Sequence, residues 1–384
     1  MNFEFATAGQ IIFGAGAVKQ VGASVKRLGS RALVVRGRNP RHSESLVAGL
    51  QANGQTAETF SVVGEPEIST IERGVAFAKG QQCDFVIAVG GGSVMDAGKA
   101  IAAMLTNRGE LLDYLEVIGR GKTPSQAAAP LIAIPTTAGT GAEVTRNAVL
   151  ASPERQVKVS LRSPFLLPRI ALVDPELTYD LPPALTASTG LDALTQLIEP
   201  YVCRRANPLT DGLCVEGLRR AARSLRAAFC DGRNPAARED MAVASLHGGL
   251  ALANAGLGAV HGFAGPIGGM FPAPHGAVCA ALLPHVIAMN LRALRQRAPE
   301  SDALRRYEEI ARLLTGRATA SADDGQAWVA TLIRDLQIPP LGSYGVRGEH
   351  VAEVVGKAAI ASSMKANPIA LTAEELTETL RAAI

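Results

Sequence analysis

Charge is what this chain most conspicuously lacks where it is most needed for solubility. Across residues 241–291 there is no Asp, Glu, Lys or Arg, although these residues make up 19% of the chain. Four of the six histidines, His247, His261, His275 and His285, fall inside that stretch. Glycine and proline interrupt it repeatedly, so no segment keeps together the roughly twenty strongly apolar residues of a membrane span. Buried helices meeting at a Gly/Pro-rich turn, with imidazoles in a dry cavity, fit better. Such cavities house metals and hydride chemistry. Aromatic residues are also scarce, at 4% with the single Trp328, which argues against stacking platforms for single-stranded nucleic acid. No basic tract exists: Arg204-Arg205 and Arg219-Arg220 are isolated pairs that read as solvated helix faces, and the net charge is only +3. The five cysteines are odd in number and show no CxxC spacing. That argues against a disulfide framework or a structural zinc site, and a reducing cytoplasm suits it. The start, MNFEFATAGQ, has no basic region ahead of an apolar core, so no signal peptide is expected. A small-molecule partner is expected, with no nucleic acid or membrane, and assembly as a homodimer.

What is present divides in two. A chain of 384 residues exceeds one ordinary core. Short β-branched runs ending in Gly or Pro predict strands at 31–36, 84–89, 131–135 and 170–173. Helical patterns lie between them, as at 15–28, 43–53 and 71–79. Strands separated by helices imply βαβ units and a parallel sheet, whose buried strands are continuously apolar. Near Leu181-Pro182-Pro183 the pattern changes to helical spacing throughout. The expected architecture is an α/β nucleotide-binding domain over 1–180 and an all-helical domain over 181–384.

Three glycine-rich segments need separating. Gly14-Ala15-Gly16 has Lys19 where GxGxxG requires a third glycine, and Gly121-Lys122-Thr123 has Glu116 at the first glycine of a Walker A loop. Neither is a phosphate motif. Gly90-Gly91-Gly92-Ser93 directly follows the strand DFVIAV and opens a helix carrying Asp96 and Lys99. Backbone N–H groups and the helix N-terminus there suit a pyrophosphate, although a tight strand–helix turn would also use glycine. After the next strand, Thr136-Thr137-Ala138-Gly139-Thr140-Gly141 places hydroxyls and small residues at a second strand end. Two such loops together point to a dinucleotide.

Asp192 and Gln196 stand four apart in the helical segment GLDALTQLIEPY and share a face. They offer two oxygen ligands to a cation, and His261 and His275 offer two imidazoles. From spacing alone the alternative stays open: a buried Asp caps helices, and histidines in Gly-rich turns satisfy backbone carbonyls. His247 and His285 read as core or supporting residues.

GGGSVMDAGK, PTTAGTGAE, VDPELTYDLPP, GLDALTQLIE and GLGAVHGFAGPIGGMFPAPHG occur here in one order and spacing. In that order the chain resembles the iron-dependent (group III) alcohol dehydrogenase family, close to its maleylacetate reductase branch and related to dehydroquinate synthase. The resemblance implies a dinucleotide-binding α/β domain and a helical metal domain. It implies that Gly90, Gly91, Gly92 and Ser93, with Asp96, hold the pyrophosphate of NAD or NADP. Thr136, Thr137, Thr140, Thr145 and Lys158 would contact the same coenzyme, and Asp192, His261 and His275 would bind a divalent metal. Three positions depart from the family: Gln196 replaces a histidine ligand, Gly265 replaces a histidine tied to proton transfer, and Gly37 replaces an Asp that holds the adenosine ribose.

These departures set the chemical expectations. An Asp–Gln–His–His cage, with a neutral amide oxygen for an imidazole, leans from Zn2+ toward Mn2+ or Fe2+; a vacant site is the alternative. Gly37 between Arg36 and Arg38 favours NADP(H). Phe263, Gly265 and Met270 would line a roomier, more apolar substrate pocket. The expected activity is hydride transfer between nicotinamide and an alcohol/carbonyl pair. Reduction of an oxo-acid of the maleylacetate type, a lyase, or a nucleotide-binding protein without catalysis are the alternatives.

Overall fold

The computed structural model describes residues 2–384. Among the described residues, contacts gather the chain into two units. One holds residues 2–5, Ala138–Thr140 and Asp180–Ile384; the other holds Ala6–Thr137 and Gly141–Tyr179.

The second unit is α/β. Its strands are β1 (Ile11–Phe13), β2 (Arg31–Arg36), β3 (Thr56–Ser61), β4 (Phe85–Gly90), β5 (Leu131–Pro135), β6 (Asn147–Ser152), β7 (Val157–Arg162) and β8 (Ile170–Val173). Helices α1 (Val21–Ser24), α2 (Arg41–Ala52), α3 (Ile68–Gly80) and α4 (Gly92–Thr106) alternate with them. Six strands form one sheet in the order β1-β8-β5-β4-β2-β3, with every pairing parallel. Both faces are covered. Leu33, Val35, Val86 and Ala88 enter one apolar cluster, and Ala32, Val34, Phe85 and Ile87 enter the other. That is why these strands read as unbroken apolar runs.

The structure also holds strands that periodicity did not reveal. β3 (TAETFS) is an edge strand with a half-exposed face, so it carries polar residues. β6 and β7 form an antiparallel hairpin, with Ala148, Leu150 and Ser152 buried at alternate positions. The helix expected at 15–28 is instead α1 flanked by two 3-10 turns, Ala17–Gln20 and Val25–Arg27. Asp174 accounts for the break: its carboxylate accepts from the backbone N–H of Gly16 and Val18, each at 3.1 Å. The glycines of the false GxG motif therefore fold around an internal carboxylate.

The chain runs from β2 outward to β3, returns to β4 on the other side of β2, and continues to β5 and β8. The order thus reverses between β2 and β4. Ligands of open α/β sheets bind at the C-terminal ends of strands flanking such a reversal. α4 starts from the end of β4 and crosses it closely. A Cβ on Gly98 would lie 2.6 Å from the Cβ of Ala88, so only glycine permits this helix–strand approach.

The helical unit contains α5 (Pro183–Val202), α6 (Pro208–Cys230), α7 (Pro235–Asn254), α8 (Ala259–Met270) and α9 (His275–Arg297). It continues with α10 (Asp302–Thr315), α11 (Ala322–Asp335), α12 (Val351–Ala359) and α13 (Ala373–Ala383). Proline opens α5, α6 and α7, where a missing N–H costs nothing, and Asn207 and Asn234 cap the latter two. α9 is long and apolar enough to cross a membrane, but 83% of its apolar window is buried within the protein. It is a core helix.

Within the Gly/Pro-rich stretch the helices meet at 255–258 and 271–274, while GPIGGM is itself helical and completes α8. Fully buried Phe263, Ala264 and Ile267 hold it against the apolar core, and that packing overrides the weak helix propensity of glycine and Pro266. We expect Gly98→Val to destabilise the α/β unit by about 1–3 kcal/mol. The melting temperature should fall by about 2–4 °C per kcal/mol; an unchanged melting curve would show that α4 can retreat from β4.

Candidate metal centre and coenzyme cradle

Asp192 lies in the middle of α5, so it is not a helix cap. Its side chain is 2% exposed, and its Oδ1 is buried without a hydrogen bond. His261 comes from the first turn of α8 and His275 from the first residue of α9. Their Nε2 atoms stand 3.3 Å and 3.8 Å from that same Oδ1. A fourth group joins them. Cys279, one turn along α9 from His275, places Sγ 3.8 Å from His261 Nε2 and 3.7 Å from His275 Nε2. One donor atom from each of Asp192, His261, His275 and Cys279 falls within 4.8 Å of all the others.

Local sequence creates this meeting. A Cβ on Gly276 would lie 2.3 Å from the Ser188 carbonyl oxygen, so the bare residue lets α9 start directly on α5, one turn before Asp192. Entry into α8 is fixed from α5 as well. Glu199 Oε1 accepts from the Val260 N–H at 2.7 Å, and Oε2 accepts from His261 Nδ1 at 2.6 Å. Asn367 Oδ1 accepts from the Ala259 N–H at 3.1 Å.

Glu199 decides the electrostatics. Because it takes the Nδ1 proton of His261, a neutral His261 would turn the lone pair of Nε2 toward a carboxylate oxygen. Two lone pairs at 3.3 Å repel unless a positive charge stands between them. With protein groups alone, the imidazoles carry that charge. Burial opposes protonation of His261, yet Cys279, Glu199 and Asp192 outweigh it and push its pKa well above the usual value. Cys279 and Asp192 likewise raise His275 against the effect of burial. Burial would raise Asp192 and Cys279, but the two histidines hold both below their ordinary values. An orphaned buried oxygen among nitrogen and sulfur donors is a cage shaped for a cation, and these residues fit a divalent metal.

Gln196 is buried one turn from Asp192. Its side chain helps the two histidines hold the Asp192 carboxyl below the usual carboxylate range. Its Oε1 has no partner and lies toward α7, where a Cβ on Gly248 would be 3.5 Å away. His247 bonds the Leu213 carbonyl at 3.2 Å, and burial lowers the pKa of His285.

The coenzyme residues divide. Gly90, Gly91, Gly92 and Ser93 form the junction of β4 and α4, with Gly91 as N-cap. Gly37 follows the end of β2, and the Cβ it lacks would meet only a Val94 methyl, at 3.9 Å. Both positions flank the reversal point of the sheet. Thr136 and Thr137 follow β5, the neighbour of β4 on its other side, and belong to the α/β unit; Thr140 is grouped with the helical unit. Asp96 lies 4.0 Å from Lys99 Nζ. Thr145 and Lys158 each have partners within the protein. Lys99 is fully buried, is pushed down to about 8 by burial, and donates to Thr145 Oγ1 at 2.8 Å and the Asn147 carbonyl at 2.9 Å. The Thr145 hydroxyl donates to the Ala142 carbonyl at 3.3 Å, and Lys158 pairs with Glu65 at 3.1 Å. Arg36 turns back onto the carbonyls of Gly37 and Arg38, whereas Arg38 is exposed.

The pocket expectation needs correction at Phe263, which is 0% exposed and packed into the helical core. Because 263–270 is helical, Gly265 points about 200° away from Phe263 around the axis, while Phe263 and Met270 share a side. The three are not one wall. A Cβ on Gly265 would meet nothing within 4 Å. Glu199 and Cys279 escaped the sequence reading. Each had a weak signal, since Glu199 is seven residues after Asp192 on the same helix face and Cys279 is four after His275.

Comparison with known proteins follows the same division. Residues 8–175 match the family model described as iron-containing alcohol dehydrogenase, and residues 186–384 match the model of the C-terminal part of that family. The chain belongs to the iron-containing alcohol dehydrogenase family. It is thus an oxidoreductase of the alcohol dehydrogenase type. It is 37% identical to 1,3-propanediol dehydrogenase of Klebsiella pneumoniae, over 88% of this chain and 87% of that one. It is 32% identical to the NAD-dependent methanol dehydrogenase of Bacillus methanolicus, over 97% of each. Among solved structures, a 1,3-propanediol oxidoreductase superposes with a TM-score of 0.92 at 34% identity, covering 100% of both chains.

Glu199→Ala would leave the Val260 N–H and His261 Nδ1 buried without an acceptor. We expect a loss of about 1–3 kcal/mol per orphaned donor in denaturant unfolding. Glu199→Gln, which keeps one acceptor oxygen, should lose less. Equal loss in both variants would show that charge rather than hydrogen bonding is what Glu199 supplies.

Proposed function

We propose that this chain transfers hydride between a nicotinamide coenzyme and an alcohol/carbonyl pair, with a divalent metal held in the helical unit. The observation that carries the metal is the buried Asp192 Oδ1, unpartnered and faced by two imidazole nitrogens in a chain of this family. Asp192, His261 and His275 would hold the ion. When bound, a divalent ion supplies Lewis acidity that polarises a carbonyl oxygen for reduction. Glu199 fixes the tautomer of His261, so that Nε2 rather than Nδ1 faces the cage. Residues 241–291, spanning parts of α7 and α9 and all of α8, carry no Asp, Glu, Lys or Arg, and a low-polarity surround strengthens charge interactions inside it. In the α/β unit, the N-terminus of α4 offers backbone N–H groups from Gly92 and Ser93 to a pyrophosphate. The five cysteines are all free thiols, which suits a reducing cytoplasm.

Protein purified without chelator should oxidise NADPH in the presence of an aldehyde panel. Chelation should abolish this and added divalent metal restore it. Turnover that survives exhaustive chelation would overturn the metal-dependent reading.

NADP(H) is the coenzyme we propose. Gly37 puts no carboxylate at the end of β2 to repel a 2′-phosphate, and exposed Arg38 can bond one. Arg38→Ala should weaken NADP(H) binding by about tenfold, the worth of one charge-assisted hydrogen bond, and leave NAD(H) unchanged. Preferred binding of NAD(H), untouched by that substitution, would reverse the assignment. The open space at Gly265 points to a substrate larger than a two- or three-carbon alcohol. Gly265→Trp should raise KM for longer aldehydes more than for acetaldehyde; equal kinetics on both would place the pocket elsewhere.

A further inference from the structure

Cys279 is fully buried and its sulfur points into the centre of the candidate cage, where the mechanism above assigns it no part. We propose that Cys279 is the fourth protein ligand of the metal, giving an Asp192–His261–His275–Cys279 donor set, and that Gln196 positions Asp192 instead of binding the ion. The inference rests on the metal-dependent reading of this site and names its ligands.

Three observations carry it. The first is distance. Around a tetrahedral ion with metal–nitrogen bonds of about 2.0–2.1 Å and metal–sulfur bonds of about 2.3 Å, neighbouring N and S donors sit about 3.6 Å apart, and N and O donors about 3.4 Å. Sγ lies 3.8 Å and 3.7 Å from the two Nε2 atoms, and Oδ1 lies 3.3 Å and 3.8 Å from them. These four separations match ligands of one ion, and every donor pair lies within 4.8 Å. The second is direction. The Gln196 oxygen is on the Gly248 side, 3.5 Å from where a Cβ on that residue would stand, whereas the Cys279 sulfur faces both imidazoles. The third is placement on helices. Asp192 and Gln196 already lie one turn apart on α5, and His275 and Cys279 lie one turn apart on α9, so α9 supplies two donors at the spacing that suits a shared ion.

The donor chemistry follows. A thiolate is soft, so the set moves selectivity back toward zinc or Fe2+ and away from manganese, the opposite of what an amide oxygen at 196 would do. Four protein ligands also mean that a substrate oxygen must enter as a fifth, which zinc sites accommodate by expansion.

The test uses the full-length protein loaded with cobalt(II) after chelator-free purification. The wild type should show the near-ultraviolet thiolate-to-cobalt charge-transfer band. Gln196→Ala should keep that band, and Cys279→Ser should lose it. In competition with a chromogenic chelator, zinc affinity should fall more than about 100-fold for Cys279→Ser and about tenfold for Gln196→Ala, the range seen when a supporting residue is lost. Bound zinc should also protect Cys279 of the wild type from alkylation, a readout that needs no variant to fold. Cobalt binding without a thiolate band, or alkylation of Cys279 at equal rates with and without zinc, would overturn the assignment and leave the metal-dependent reading standing. Failure of the wild type to bind either ion would overturn both.

Discussion

The helical unit is organised around one electrostatic conflict: a carboxylate oxygen buried on α5 faces the lone-pair side of an imidazole whose other nitrogen is already committed. Glu199 creates the commitment and Asp192 creates the conflict, and both belong to the same helix. Most other features of the unit bring these groups together. Gly276 lets α9 begin against α5, and Asn367 and Glu199 secure the first turn of α8. Without a positive charge at the centre, this arrangement would be among the costliest in the molecule.

The fold was largely legible because parallel strands buried on both faces leave continuous apolar runs, and β2, β4, β5 and β8 all do. β3 was not legible, since an edge strand keeps polar residues on its open side. The helix expected at 15–28 failed for a different reason: Asp174, more than 150 residues away, pulls the backbone into 3-10 turns. No local pattern announces a partner at that distance. GPIGGM is helical because burial of Phe263 and Ile267 outweighs local propensity.

The site was legible only where a residue type announced its own chemistry. Asp192, His261 and His275 do so, and the structure brings them together. Glu199 and Cys279 do not: a glutamate at the end of an apolar helix and one cysteine of five look ordinary until the helices are packed. Cysteine count and spacing argued against structural zinc, and that argument addresses ligands close in sequence. It is silent on a thiol that joins donors from three helices. Thr145 and Lys158 show the reverse. The resemblance makes them coenzyme contacts, and the structure adds partners within the protein: Lys99 and the Ala142 carbonyl for Thr145, and Glu65 for Lys158.

The stretch without Asp, Glu, Lys or Arg has an electrostatic consequence. Because residues 241–291 contain no Asp or Glu, the carboxylates at the centre come from α5, through Asp192 and Glu199. Two carboxylates on one helix thus face histidines and a cysteine from helices that bring no carboxylate within that stretch. Residues 241–291 offer no Lys or Arg to pair with an anion, so any cationic partner there must come from outside the stretch. The composition of this stretch thus sets its local electrostatics ahead of any contact made by shape.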